Sequence, residues 1–136
     1  MILSNLSLIV GSCLTIAMVI FHFFFPKIFK WEKDFQRITG TNKRVYFTIN
    51  VALYLLFIVI AMITLLHINE LVQCTRIGFT FLLLISLFWL WRTIWQIIYF
   101  KPEKGSKLII MHIILILIFL LLSLSYIAPI ILLRII

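Results

Sequence analysis

Acidic side chains are scarce in this sequence, and the scarcity limits what the chain can do. Glu32, Asp34, Glu70 and Glu103 are the only side-chain carboxylates, against twelve lysines and arginines in 136 residues. Each falls between long apolar runs, so the runs themselves hold no acid. An ion channel or proton path would normally need one there. Paired acids and Ser/His/Asp arrangements for hydrolysis are missing as well. Cysteine is nearly absent. Cys13 lies inside the first apolar run and Cys74 in a loop, at depths too different for a disulfide. No CxxC pair, zinc motif, Walker motif or Rossmann motif occurs. The N-terminus lacks a basic start and an A-x-A-like cleavage site, so its apolar run is read as a retained helix and not as a signal peptide.

What is present is apolar surface. The chain is 65% hydrophobic, more than one soluble core of this length could hide. A spanning helix needs about 20 apolar residues, which leaves room for four. The expected fold is all-α: a transmembrane four-helix bundle, up-down-up-down. Residues 1–136 form a single integral membrane domain, with spans at about 2–25, 45–67, 77–100 and 108–132. The net charge of +8 sits in short loops, which points to membrane orientation and not to nucleic acid.

Helical spacing assigns a face to each span. The first, closed by Pro26, carries Ser4, Ser7, Gly11, Thr15, Met18 and His22 on one side. Small residues there let neighbouring backbones approach in lipid. The connector from Pro26 to Arg44 places Ile28, Trp31, Phe35 and Ile38 opposite Lys30, Lys33 and Arg37. That pattern predicts a short interfacial amphipathic helix between helices 1 and 2, capped by Gly40; a basic loop with incidental aromatics is the alternative. Thr41 or Asn42 would cap the second span. Its stripe is Tyr46, Asn50, Tyr54, Phe57, Ala61 and Thr64. The connector 68–76 leaves room only for a turn. Gly78, Phe81, Ile85, Phe88, Arg92, Gln96 and Tyr99 share a face of the third span, with Trp91 and Trp95 off it. Residues 101–107 form a polar turn holding Pro102 and Gly105. In the fourth span His112, Ile116, Phe119, Ser123 and Tyr126 align, and Pro129 kinks or loosens the last turn.

The stretch from Phe88 to Phe100 organises the rest, because it sets Arg92 among aromatics. A guanidinium stays charged in a protein and costs roughly 2.5–3.5 kcal/mol at a helix centre on insertion scales. From the helix rise, Arg92 lies about 12 Å inside the basic end, and His22, Asn50, Gln96 and His112 about 6–8 Å inside. The candidate ligand-binding set is therefore Arg92, Gln96, Asn50, His22, His112 and Tyr99. Each has a plainer explanation: Arg92 can snorkel to phosphates, Asn50 and Gln96 can serve as interhelical glue, and the histidines can be interfacial. His22 and His112 at one depth also raise a bis-histidine haem, although Phe21, Phe23 and Met111 crowd those sites. The reading that follows is non-enzymatic. It is a pocket for an anionic lipid, a quinone-like molecule or a partner subunit, with homo-oligomers an open alternative. The competing class is a membrane redox component using His22 and His112 for haem or quinone.

His22-x-x-x-Pro26, Trp31 and Asn42-Lys43-Arg44 opening the second span resemble small uncharacterised bacterial membrane proteins of four helices. In layout the chain is also similar to the DoxX-like group, some of whose members are linked to quinone-dependent oxidation. The resemblance implies a four-helix fold and no particular site residues.

Loop charge sets the expected topology. Lys27, Lys30, Lys33, Arg37, Lys43, Arg44, Lys101, Lys104 and Lys107 fall on one side, and Arg76 and Arg134 on the other. The positive-inside rule puts the first group in the cytoplasm of a bacterial cytoplasmic membrane, with both termini outside. Once Cys13 and Cys74 are replaced by serine, single cysteines at Thr39 and Ser106 should be shielded from an impermeant thiol reagent in intact cells. One at Asn69 should react. The opposite labelling pattern reverses the topology.

Overall fold

With no water to take up peptide groups in hydrocarbon, each segment must satisfy its backbone internally, and helices do so. The computed structural model describes residues 1–102 and 108–135 and is all-helical among them. The helices are α1 (Ile2–Ile28), α2 (Trp31–Asp34), α3 (Gly40–Leu66), α4 (Ile68–Val72), α5 (Arg76–Ile98) and α6 (Leu108–Ile135). Four of them, α1, α3, α5 and α6, are long and apolar enough to cross a membrane. They assemble as the expected bundle. The turn foreseen over 101–107 lies largely outside the described residues.

Pro26 does not close the first helix, which continues to Ile28. Proline removes the bond that residue 26 would donate to the carbonyl of His22. That carbonyl instead accepts from the Tyr54 hydroxyl at 3.1 Å, so α3 repairs the gap and the helix runs on. The connector departs further from expectation. Gly40 starts α3 instead of capping the helix before it, and the N-cap is Thr39, whose hydroxyl accepts from the Asn42 amide at 3.4 Å. In place of an amphipathic helix across Ile28 to Ile38 there is one turn, α2. Lys30 takes a left-handed conformation (φ 51°) and swings Trp31 inward. The indole is 7% exposed, edge-on to Tyr46 at 4.4 Å and near Phe25 and Phe35. Stacking three rings there buries more aromatic surface than a flat helix would. The connector 68–76 is likewise more than a turn. In α4, Leu71 and Val72 are buried against the bundle end. Thr75 then caps α5 by accepting from the Gly78 amide at 3.2 Å.

Helix α1 packs against α3 and α6, and α6 packs against α1 and α5. Among the described residues, α3 and α5 bring no Cα atoms within 8 Å of each other. Only side chains bridge that edge. Phe57 stacks on Trp89 (centroids 5.3 Å apart), and Trp89 stacks on Phe119 (5.6 Å). The other contacts are hydroxyl-to-carbonyl and hydroxyl-to-hydroxyl. Ser86 Oγ donates to the Ser123 carbonyl (2.9 Å) and Ser123 Oγ to the Ser86 carbonyl (3.0 Å), locking α5 to α6. The Tyr126 hydroxyl, fully buried, lies 3.3 Å from both Thr15 and Thr64 Oγ1, joining α6 to α1 and α3. Gly11 makes room for that tyrosine: a Cβ there would stand 3.2 Å from Tyr126 Cε2 and 3.2 Å from Ser125 Cβ.

The inward stripe of α1 matches the pattern read from its spacing, with Ser4, Gly11, Thr15, Met18 and His22 all buried. In α5 the buried stripe is Gly78, Leu82, Ser86, Trp89, Thr93 and Gln96. It is turned by about one residue from the expected face, because Ser86 and Thr93 allow closer approach than Phe88 or Ile85. Replacing Tyr126 with phenylalanine should cost roughly 0.6–1.7 kcal/mol, the range for interhelical hydrogen bonds in membranes. Gly11→Leu should cost more by wedging α1 from α6. Reversible unfolding in mixed micelles checks both, and a neutral Gly11→Leu would contradict the close approach.

Candidate ligand pocket at the basic end

Rotation of the α5 stripe leaves Arg92 at its edge, half-buried. Its guanidinium carbon stands 4.8 Å over the Phe119 ring, a cation–π contact. Its Nη2 donates to Gln96 Oε1 at 3.4 Å, one turn along the same helix. Gln96, 3% exposed, passes the link onward, its Nε2 lying 3.2 Å from His112 Nδ1. The His112 ring stacks on Phe100 at 5.5 Å. Arg92, Gln96 and His112 thus form one chain of contacts from α5 to α6.

Asn50 and His22 belong to a second chain. Asn50 donates to the Tyr54 hydroxyl, which donates to the His22 carbonyl. The His22 ring bonds its own helix through Nδ1 to the Met18 carbonyl (2.8 Å) and stacks on Phe25 at 4.2 Å. So Arg92 meets Gln96 and not Asn50, and the two histidines have different partners. Tyr99 does not join either group. It is 70% exposed and lies flat on Trp95 (4.7 Å), which in turn stacks on Trp91 (5.8 Å). This outer aromatic ladder suits an interfacial anchor. Tyr99 is its helix's C-cap, beyond the last buried turn.

Between the two chains of contacts lies a cavity of about 390 Å³. Arg92 and Gln96 are its polar wall. Phe25, Phe29, Trp31, Phe100 and Phe119 supply most of the remainder, and Tyr46 of α3 closes one side. His22 and His112 stand behind the wall, each stacked on a phenylalanine that lines it. Spacing missed these aromatics because Phe29, Trp31 and Phe100 lie in connectors, where helical period gives no signal. Among the described residues the one ion pair is His67 with Glu70, at 3.4 Å and at the opposite end. No described carboxylate neutralises Arg92. Compared with family models, curated proteins and solved structures, the chain finds no match.

This geometry predicts which pairs are coupled. In a double-mutant cycle, Arg92→Leu and Gln96→Leu should show an interaction of roughly 0.5–3 kcal/mol, as for residues in one network. Arg92→Leu and Asn50→Leu should add. Unfolding in mixed micelles reads both, and coupling of Arg92 to Asn50 alone would reverse the assignment.

Proposed function

We propose that this small membrane protein binds the anionic head group of a membrane amphiphile in the cavity at its basic end. The observation that carries the reading is Arg92, a permanent cation facing a cavity walled by aromatics, with no carboxylate among the described residues to pair with it. A charge placed in apolar surroundings costs several kcal/mol unless paired, and a phosphate or carboxylate head group supplies the missing anion bidentately. Gln96 fixes the guanidinium, and His112 fixes Gln96. The mouth is rimmed by Lys27, Lys30 and Lys101, which would raise the local concentration of anionic lipid. By the positive-inside rule this end belongs in the cytoplasm of a bacterial cytoplasmic membrane, with the termini outside. A quinone carries oxygen acceptors but no charge, so it uses Gln96 better than Arg92. A partner helix would need an acid of its own.

Arg92→Leu tests the reading. In detergent alone the variant should be as stable as the parent or more so, because an unpaired buried charge has gone. Dioleoylphosphatidylglycerol added to the micelles should raise the melting temperature of the parent, while phosphatidylcholine should not, and the rise should vanish in Arg92→Leu. An equal rise in parent and variant would defeat the proposal. A Soret band in the purified protein, lost in both His22→Ala and His112→Ala, would replace it with a haem-bearing redox component.

A further inference from the structure

Resting on that reading, we infer that the bound molecule is a chain-bearing phospholipid that enters sideways from the bilayer, with an acyl chain lying in the open edge between α3 and α5. Three observations meet here. The first is the edge itself: each neighbouring pair of long helices packs backbone to backbone except α3 and α5, which approach nowhere within 8 Å. The second is where the cavity sits. Tyr46 of α3 and Arg92 of α5 both line it, so the edge opens from the head-group pocket. The third is the register of the flanks. Ser86 turns to α6, so Ile85, Phe88 and Arg92 take the other flank of α5, toward α3. Tyr54 turns to α1, which gives Tyr46, Leu53 and Ile60 the α5-facing flank of α3. Leu53, Ile85 and Phe88 are half-buried, as the walls of a slot are.

The floor of the slot is the Phe57–Trp89 stack, whose rings are 3% and 1% exposed. A helix is about 10–12 Å across with its side chains, too wide to enter an edge already bridged by stacked rings. A single hydrocarbon chain is not. The edge is apolar along its length and ends at a fixed cation. A molecule matching both features has an anionic head and a long tail. Free phosphate satisfies Arg92 but leaves the slot unused, and phosphatidylcholine brings a cation to the arginine.

The experiment uses the full chain with Trp31, Trp91 and Trp95 changed to phenylalanine, which leaves Trp89 as the sole fluorophore. Phosphatidylglycerol brominated on its acyl chains should quench Trp89 more strongly than phosphatidylcholine brominated at the same carbons. The difference should be lost in Arg92→Leu. In the parent protein, with all its tryptophans, dioleoylphosphatidylglycerol should raise the melting temperature more than dihexanoylphosphatidylglycerol, and glycerol 1-phosphate should give no rise. If the Arg92-dependent rise persists but the two brominated lipids quench alike, the head group binds while its chain lies elsewhere, and the inference fails alone. Equal rises with glycerol 1-phosphate and the long-chain lipid also overturn it, in favour of a soluble anion. Equal shielding of Trp89 from both lipids in a dimer means that a second copy covers the edge. No Arg92-dependent rise with any of these probes removes the binding reading itself.

Discussion

Polar contact across helices is the interaction on which this assembly depends. Lipid tails are as apolar as leucine, so burying leucine between helices gains little over leaving it in the bilayer. What distinguishes the packed state is contact between small and hydroxylated residues. Here those are the Ser86–Ser123 exchange, the Tyr126 hydroxyl between Thr15 and Thr64, and the Tyr54 hydroxyl on the His22 carbonyl. Each lies where a side chain smaller than leucine lets two backbones close. The edge without such a contact, between α3 and α5, is the edge that stays apart.

The same rule explains what could be read in advance and what could not. The first span carried its small residues in an unbroken three-and-four pattern, so its buried face was legible to within a residue. The third span presented two competing signals. Large aromatics and the arginine suggested one face, and Ser86, Thr93 and Trp89 mark another. Packing followed the small residues, because close approach of backbones matters more in lipid than the size of what is buried. Gln96 lies on both faces and was placed where it belongs. Tyr99 was grouped with them by spacing alone, past the point where the helix is enclosed. The walls of the cavity were illegible for a different reason: they come from Phe29, Trp31 and Phe100, whose positions depend on how the chain turns, and no periodicity constrains that.

Electrostatics and packing are divided between the two ends of the molecule. The end with α4 is sealed by Leu71 and Val72, and its charges, His67 and Glu70, face outward and pair with each other. The opposite end is roofed only by the single turn around Trp31 and holds the inward-facing cation. The asymmetry is built from one-residue choices, with Lys30 turning left-handed at one end and Thr75 capping a straight helix start at the other.

The threonines bear on how such a chain is made. Thr15, Thr48, Thr64, Thr80 and Thr93 each donate to the carbonyl four residues earlier in their own helix. A hydroxyl engaged this way needs no neighbour while its helix passes alone from the ribosome into the membrane. Thr15 and Thr64 still keep a lone pair for Tyr126, which is synthesised near the end of the chain. Insertion and assembly are therefore separable in time: the early helices can dwell singly in the bilayer without an exposed donor, and the last helix brings the hydroxyl that gathers them.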